Sequence, residues 1–250
     1  MSASECLGAS ACIKFSTFLC SLSECTCVFL CVYVCVHVCV DTRCTYYDQT
    51  LQWRRSIDFC MKKDGEVCWV APGSPRCLAV SSSDLAPVMI ALGAEFELIG
   101  PEGSRRVAAA DFYADDGIVY LSKRPGEILT HVHLPPAPGW RSTYRKLRRR
   151  EAFDFPLCGV AVAVRKVGEV IESARIAVGG IASRPLVMSE AAEVLIGKEP
   201  DRDLIDTAAA RTTPNSKALD NTDLMPLYRK RMVPIFTSRC LRQLLLGEEV

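Results

Sequence analysis

Cysteine is unevenly distributed along this chain, and this distribution limits both the kind of fold and the redox compartment that the chain can have. Of the 14 cysteines in 250 residues, eight lie at or before Cys39, four lie between Cys44 and Cys77, and two lie beyond. A secreted disulfide scaffold spreads its cysteines through a short chain, whereas here a long region of mixed helix and strand patterns follows with almost none. The distribution therefore favours a reducing compartment and predicts a cytoplasmic location.

The first group of cysteines lies in a low-complexity segment. Residues 14–40 are almost wholly apolar, so a membrane span has to be considered. Between residues 27 and 40, however, valine alternates with cysteine, tyrosine and histidine, a pattern that transmembrane helices seldom show and that a translated dinucleotide repeat produces. We interpret residues 1–38 as an aberrant segment from a mispredicted or recombined gene start. A membrane segment, or a genuine strand or metal-binding tract, is the alternative, and we do not expect membrane attachment.

The overall charge limits the classes of partner. The formal net charge is +1, and the one dense basic run is RKLRRR at residues 145–150. A nucleic-acid-binding domain carries a much larger basic excess. We therefore expect no nucleic-acid partner.

The second group of cysteines lies in a polar, turn-rich stretch. Cys44, Cys60, Cys68 and Cys77 follow one another at intervals of 16, 8 and 9 residues. Loops can bring four thiolates together around an iron–sulfur cluster. The spacing lacks the short C-x₂-C pair usual in zinc sites and bacterial ferredoxins. From spacing alone, a metal centre and a set of scattered loop thiols both remain open.

The remaining sequence predicts short strands and helices of an α+β fold. Serines and Asp84 before an apolar run, with Gly93 after it, predict a helix at about 84–92. Alternating apolar residues predict strands, and these lie at 95–100, 104–113, 117–121, 126–134, 142–151, 155–166 and 169–180. Three further helices are predicted at about 188–196, 201–210 and 223–246, with a kink or break at Pro234.

Two smaller motifs are consistent with ordinary structure. His131 and His133 form an H-x-H pair on one strand face, but two histidines lack the further ligands of a metal site, so a solvent-facing pair is favoured. Gly179-Gly180 after a strand is typical of a tight turn, with a phosphate contact as the alternative.

Six segments together resemble a known family: CVDTRCTYYDQ, FCMKKDGEVC, RCLAVSSSDLAPVMIALGAEFELIGPEG, PGEILTHVHLP, YRKLRRREAFDFPL and ARIAVGGIASRPL. This is the FAD-binding middle subunit of the molybdenum hydroxylases, which include carbon monoxide and xanthine dehydrogenases. Within the family, the loop between DTRC and RCLAV is similar to the cluster-carrying insertion of 4-hydroxybenzoyl-CoA reductase beta subunits. The resemblance covers roughly residues 39–247.

The resemblance implies a set of cofactor-binding residues. It implies that Cys44, Cys60, Cys68 and Cys77 hold a [4Fe–4S] cluster. It further implies that Ser83 and Asp84 lie near the ribityl chain of FAD, that Leu129 lines the isoalloxazine pocket, and that Lys146, or alternatively Arg145, supplies a basic contact. For Ser83 and Asp84 the alternative role is a helix N-cap, and for Leu129 it is an ordinary core leucine. No catalytic residue is expected in this chain.

The resemblance also implies a domain order. Residues 1–38 form the aberrant segment. Residues 39–137 are the remnant of a PCMH-type FAD-binding domain, with the cysteine loop inserted at about 41–78. Residues 138–250 form a CO dehydrogenase flavoprotein C-terminal-like domain. The family's two glycine-rich loops for the FAD pyrophosphate do not occur in this sequence, so we expect this chain to bind FAD poorly.

The implied function is electron transfer in a molybdenum-dependent 4-hydroxybenzoyl-CoA reductase. Electrons would pass from ferredoxin through the [4Fe–4S] cluster and FAD to a [2Fe–2S] small subunit and a molybdopterin-binding large subunit. The alternatives are the FAD subunit of a xanthine or carbon monoxide dehydrogenase-like hydroxylase, and a noncatalytic fragment that only packs against a partner.

Overall fold

The computed structural model describes residues 42–151 and 154–249, so the interpretation of residues 1–38 lies outside the described residues. The described residues form six helices and nine strands in three antiparallel sheets. This arrangement confirms the predicted α+β fold. Within the same described residues, no helix is both long enough and apolar enough to cross a membrane.

The cysteine loop is closed by a two-stranded sheet. Strand β1 (Thr42–Arg43) pairs with strand β2 (Val80–Ser81), which fixes both ends of the loop side by side. Inside the loop, helix α1 (Leu51–Ile57) begins at Thr50, whose side chain accepts a hydrogen bond from the Trp53 amide at 3.3 Å. None of the residues of α1 is buried, so this short helix stands on the surface.

The next unit is a three-stranded sheet with a helix against it. Helix α2 (Leu85–Leu92) ends at Gly93 in the left-handed conformation, as the sequence predicts. Strand β3 (Glu95–Gly100) lies between β4 (Gly103–Ala108) and β5 (Ile128–His133). Phe96 on β3 packs edge-on against Phe112 at 4.9 Å between ring centroids, under α2.

Two of the strands predicted in this unit differ from the structure: one is shorter than predicted, and the other does not form. The strand predicted at 104–113 ends at Ala108, and helix α3 (Ala109–Phe112) follows because Ala109 and Phe112 turn inward to the core. Residues 117–121 form no strand and make only an isolated bridge at Leu121. Their first residue, Gly117, instead bonds to the cysteine loop, since its amide donates to the Cys77 carbonyl and its carbonyl accepts from the Thr42 hydroxyl.

The C-terminal half is a four-stranded sheet covered by helices. Its strands run in the order β6 (Trp140–Leu147), β7 (Cys158–Val167), β8 (Val170–Gly179) and β9 (Leu186–Val187). The helices α4 (Ser189–Leu195), α5 (Arg202–Ala210) and α6 (Pro226–Leu245) follow. The strand predicted at 142–151 therefore begins earlier and ends at Leu147.

Of the kink or break predicted at Pro234, the break is wrong, because α6 continues through this residue. Proline removes one backbone donor from the helix and weakens it locally. Val233, Phe236 and Thr237 around it are buried, and the Thr237 hydroxyl donates to the Val233 carbonyl at 2.9 Å. Packing of this stretch in the core therefore outweighs the local cost of proline.

Strand β7 is buried on both faces. Larger and smaller residues alternate along it, so one face packs in the main core and the other packs against α2. The larger residues from Cys158 to Val164 lie in the main apolar core with the helices α4 to α6. The smaller residues Ala161 and Ala163 lie on the opposite face, in contact with Ala91 of α2. The small side chains let α2 approach the sheet closely, so this helix joins the two halves of the molecule.

An ion pair at the end of the three-stranded sheet should make the free energy of unfolding depend on pH in the acidic range. Arg105 donates to both carboxylate oxygens of Glu127, at 2.6 and 2.8 Å, and the Arg124 amide donates to the same carboxylate at 2.7 Å. The hydrogen bonds from Arg105 are the largest cause that lowers the pKa of Glu127 from 4.5 to about 2. The carboxylate form is therefore favoured in the folded state.

We expect Glu127→Gln to lower the thermal unfolding temperature near neutral pH and to lose this effect in acid. The folded pKa lies below the unfolded one, so the contribution is present above pH 4.5 and is lost as the pH falls toward 2. Unfolding temperatures of the variant and the wild type, measured across this window, check the prediction. Glu102→Gln, which removes an exposed partner of Arg124, is the control. A Glu127→Gln deficit that stays constant with pH would contradict the assignment.

Candidate functional site

Four cysteines from distant positions in the loop line one cavity. Pairing of β1 with β2 places Cys44 just after one strand and Cys77 shortly before the other. Cys60 and Cys68 flank a turn in which the Met61 amide donates to the Val67 carbonyl at 2.8 Å and the Gly65 amide donates to the Cys60 carbonyl. The cavity between these segments is lined by all four cysteines. The structure therefore brings the four predicted ligand residues together.

The four thiols are shielded from solvent and unpaired. Their exposed fractions are 4 to 7%, and each is a free cysteine. In the described part of the chain, no three Cys, His, Asp or Glu side chains lie close enough to hold a single metal ion. A [4Fe–4S] cube presents a separate iron to each of four thiolates, so its ligands stand farther apart than those of one ion. Four thiols around one cavity are the all-sulfur donor set that such a cluster needs.

Trp69 also lines the cavity that the four cysteines share. The indole Nε1 of Trp69 is buried and, within the described residues, has no hydrogen-bond partner. A buried donor without an acceptor is costly. Sulfide or thiolate sulfur of a cluster would provide an acceptor, so this donor also fits the group.

Burial favours the protonated form of the Cys44 and Cys77 thiols while no metal is bound. Burial raises the pKa of Cys44 to about 11, and the neighbouring Cys77 and Cys60 raise it further. Burial likewise raises the pKa of Cys77. Because metals bind the thiolate form, loading of iron at this site must release protons.

Gly117 lies against the sulfur of Cys77 in a position where no side chain fits. A β-carbon at residue 117 would lie 2.7 Å from Cys77 Sγ and 2.8 Å from the Ala79 amide nitrogen. We expect Gly117→Ala to displace Cys77, to lower iron content and to destabilise the fold by about 1–3 kcal/mol. Iron analysis and thermal unfolding measure both effects.

Gly73→Ala is the matched control for that substitution. Gly73 lies in the same loop, and a β-carbon there would meet no atom within 4 Å. This variant should keep wild-type iron and stability. Equal iron content in Gly117→Ala and Gly73→Ala would show that the close contact with Cys77 does not matter.

The residues expected near FAD form a second cluster at the start of α2. Ser83 is buried, and its hydroxyl accepts a hydrogen bond from the Ala86 amide at 3.0 Å, which is a helix-capping contact. Asp84 accepts from Lys146 Nζ at 2.6 Å and from the Tyr144 hydroxyl at 2.9 Å. Three of the predicted residues, Ser83, Asp84 and Lys146, therefore lie together.

The two basic candidates on β6 lie on opposite faces of the sheet. Lys146 faces α2 with Tyr144, and its Nζ also donates to the Asp154 carbonyl at 2.5 Å. Arg145 lies on the other face, where it donates to Gln243 of α6 at 3.2 Å. Alternation along the strand thus places only Lys146 beside Asp84.

Leu129 and the histidine pair lie on strand β5 of the three-stranded sheet. Leu129 is buried in the core between α2 and the three-stranded sheet, as an ordinary core leucine would be. His133 Nε2 lies 2.7 Å from Glu97 Oε2, and His131 Nδ1 lies 3.7 Å from the same oxygen. Hydrogen bonding to His133 is the largest cause that lowers the pKa of Glu97.

Several residues of both clusters are missed by the sequence analysis. Gly117 is predicted only as the first residue of a strand, and Tyr144, Lys62 and Trp69 are not singled out. The Lys-Lys pair next to Cys60 and the tryptophan next to Cys68 are the available signals. Their roles depend on contacts with residues far along the chain, which no local pattern shows.

Comparisons with known proteins agree with this architecture. The family described as FAD binding domain in molybdopterin dehydrogenase matches residues 65–137. The family described as CO dehydrogenase flavoprotein C-terminal domain matches residues 142–244. Both matched regions belong to domain families of the FAD-binding medium subunits of the molybdenum hydroxylases.

Individual members of this family are 30 to 33% identical to the chain over the aligned residues. The glyceraldehyde dehydrogenase medium chain of Sulfolobus acidocaldarius is 30% identical over 162 residues, which is 65% of this chain and 57% of that protein. The carbon monoxide dehydrogenase medium chain of Afipia carboxidovorans is 33% identical over 166 residues, which is 64% of this chain and 55% of that protein.

A solved member of the family has the same fold. The structure of cyanide-inactivated Cu,Mo-CO dehydrogenase superposes with a TM-score of 0.61 at 30% identity, covering 67% of this chain and 58% of that one. This medium-subunit homologue thus spans slightly more than half the length of the relatives it matches.

Proposed function

We propose that this chain is an electron-transfer part of a molybdenum-dependent oxidoreductase, in which Cys44, Cys60, Cys68 and Cys77 hold a [4Fe–4S] cluster. The observation that carries the proposal is the set of four buried, unpaired thiols around one cavity. Buried cysteines of a purely structural kind have no reason to line a common cavity from four separate points of a loop. The cluster supplies one-electron transfer when it is bound.

The surrounding residues hold the cluster site rather than react with a substrate. Thr45 donates its amide to the Asn221 carbonyl at 2.9 Å, and Asn221 donates its side-chain amide to the Leu78 carbonyl at 2.7 Å. One residue of the C-terminal half therefore fixes the chain next to Cys44 and next to Cys77. This connection holds the ligand positions against the rest of the molecule, as outer-shell contacts do at metal sites.

The second part of the proposal concerns FAD. Membership of the family supports FAD as the cofactor of the cluster of residues at the start of α2. We propose that Ser83, Asp84 and Lys146 contact FAD from this position, with Leu129 near the ring system and Arg145 as the alternative basic contact. Asp84 is partly exposed and is held by Lys146, so the pair presents fixed polar groups at the surface of the site.

Two enzyme classes are candidates for the whole complex. The names of the relatives, among them a carbon monoxide dehydrogenase medium chain and an aldehyde oxidoreductase FAD-binding subunit, favour a xanthine or carbon monoxide dehydrogenase-like hydroxylase. The four-thiol loop is the specific observation that favours a 4-hydroxybenzoyl-CoA reductase, in which ferredoxin delivers electrons. In either case we propose a molybdopterin-binding large subunit and a [2Fe–2S] small subunit as partners.

Iron analysis of the full chain tests the proposal. We expect protein purified without oxygen from iron-replete cells to contain four irons and four sulfides per chain and to show broad visible absorbance that dithionite bleaches. Colourless, iron-free protein would contradict the cluster. Purification together with its partners, followed by assays of aryl-CoA reduction and of carbon monoxide or aldehyde oxidation, separates the two enzyme classes.

A further inference from the structure

Lys62 is a cationic side chain at the wall of the four-cysteine cavity. It lies in the turn between Cys60 and Cys68 and lines the cavity together with the four cysteines. Its Nζ donates to the Thr42 carbonyl at 2.5 Å and to the Thr42 hydroxyl at 2.6 Å. The same Nζ lies 4.8 Å from the centre of the Tyr47 ring. The ammonium is thus fixed in place by groups on the first strand and the adjoining turn.

The groups that hold Lys62 do not neutralise its charge. The Thr42 carbonyl, the Thr42 hydroxyl and the Tyr47 ring are all neutral, and among the described carboxylates none forms an ion pair with Lys62. The next residue, Lys63, differs because it has an ion-pair partner, and its side chain is in contact with solvent. Lys63 Nζ lies 2.8 Å from Asp64 Oδ2, and the Lys63 side chain is 43% exposed to solvent.

We propose that Lys62 sets the reduction potential of the cluster held by the four thiols, an inference that rests on the proposed function. A cluster with four thiolate ligands is anionic, and accepting an electron adds one more negative charge. A fixed cation in a shielded position stabilises the more negative state, so it raises the reduction potential. Lys62 is a positioning residue for charge and is not a ligand.

The local arrangement explains why this lysine acts more strongly than its neighbour. The field of an exposed, ion-paired charge is screened by solvent and by its partner. The field of a partly buried, uncompensated charge at the cavity wall is screened much less. Lys62 and Lys63 carry the same charge and lie side by side in the sequence, so they form a matched pair for an experiment.

The test is a redox titration of the full chain with dithionite and mediators, followed by electron paramagnetic resonance of the reduced cluster. We expect Lys62→Met to retain iron and to lower the equilibrium constant for one-electron reduction about tenfold, which corresponds to a potential about 59 mV more negative. Lys63→Met should leave the potential close to that of the wild type. Lys62→Arg, which keeps the charge, should also stay close to it.

Each outcome of the titration decides the inference. Equal potentials in wild type and Lys62→Met, both with full iron content, would overturn it and leave the proposed cluster standing. Loss of iron in Lys62→Met with retention of iron in Lys62→Arg would show that the charge is needed to bind the cluster rather than to set its potential, and would overturn the inference. Loss of iron in both variants would show a packing role and overturn the inference, and an iron-free wild type would overturn the proposed function as well.

Discussion

Replacing any one of Cys44, Cys60, Cys68 or Cys77 by serine should remove most of the bound iron from the protein. Each thiol is a separate corner ligand in the proposed cluster, and serine offers a hard, weakly acidic hydroxyl in place of a soft thiolate. Changes in outer-shell residues already weaken metal binding by about 10–100-fold. Loss of a ligand should weaken it at least as much, as iron and sulfide analysis would measure.

Cys158→Ser is the control for this series. Cys158 is as buried as the four loop cysteines, but it lies in the main apolar core on β7, and burial raises its pKa to about 12. This variant should lose some stability and keep its iron. The ligand assignment fails if all five variants hold the same amount of iron as the wild type.

Arg229→Met should lower the free energy of unfolding by about 3 kcal/mol or more. Arg229 on α6 is completely buried and donates to three backbone carbonyls: Leu157 at 3.1 Å, Leu219 at 2.9 Å and Gly180 at 2.7 Å. Burial lowers its pKa to about 10, so the side chain is still charged at neutral pH. Without it, the buried carbonyls of Leu157 and Gly180 lose this donor, at about 1–3 kcal/mol each, whereas the Leu219 carbonyl still accepts from the Asn221 amide.

Thermal unfolding measures this effect. For a chain of this size, a loss of 3 kcal/mol corresponds to about 6–12 °C. Arg231→Met, on the exposed side of the same helix, should change the unfolding temperature little. If the two variants unfold at the same temperature, the three carbonyl contacts do not contribute as the structure indicates.

Arg229 also shows why sequence patterns miss contacts of this kind. The sequence predicts a C-terminal helix, and an arginine in it reads as a solvent-facing residue. The three acceptors lie in the turns before β7 and after β8 and in the loop before α6, which meet only in the folded molecule. The predicted break at Pro234 fails for a related reason, since burial of Val233 and Phe236 on either side holds the helix together.

Local sequence patterns predict most of the helices and strands and the chemical types of the candidate site residues. Capping residues and Gly93 fix α2, alternation fixes the β7–β8 hairpin, and the number and type of loop cysteines raise the possibility of an iron–sulfur site. These features follow from interactions between residues close in the chain. The family membership, and with it the fold class, could also be reached from sequence motifs.

Contacts between residues far apart in the chain come from the folded arrangement of the strands and loops. Intervals of 16, 8 and 9 residues give no geometric reason for Cys44, Cys60, Cys68 and Cys77 to share a cavity. Pairing of β1 with β2 and the turn before Cys68 bring them there, and Gly117 closes against Cys77 from a segment predicted as a strand. The alternation of faces along β6 likewise places Lys146, and not Arg145, beside Asp84. Such contacts depend on strand pairing and packing between distant segments, which local sequence patterns do not encode.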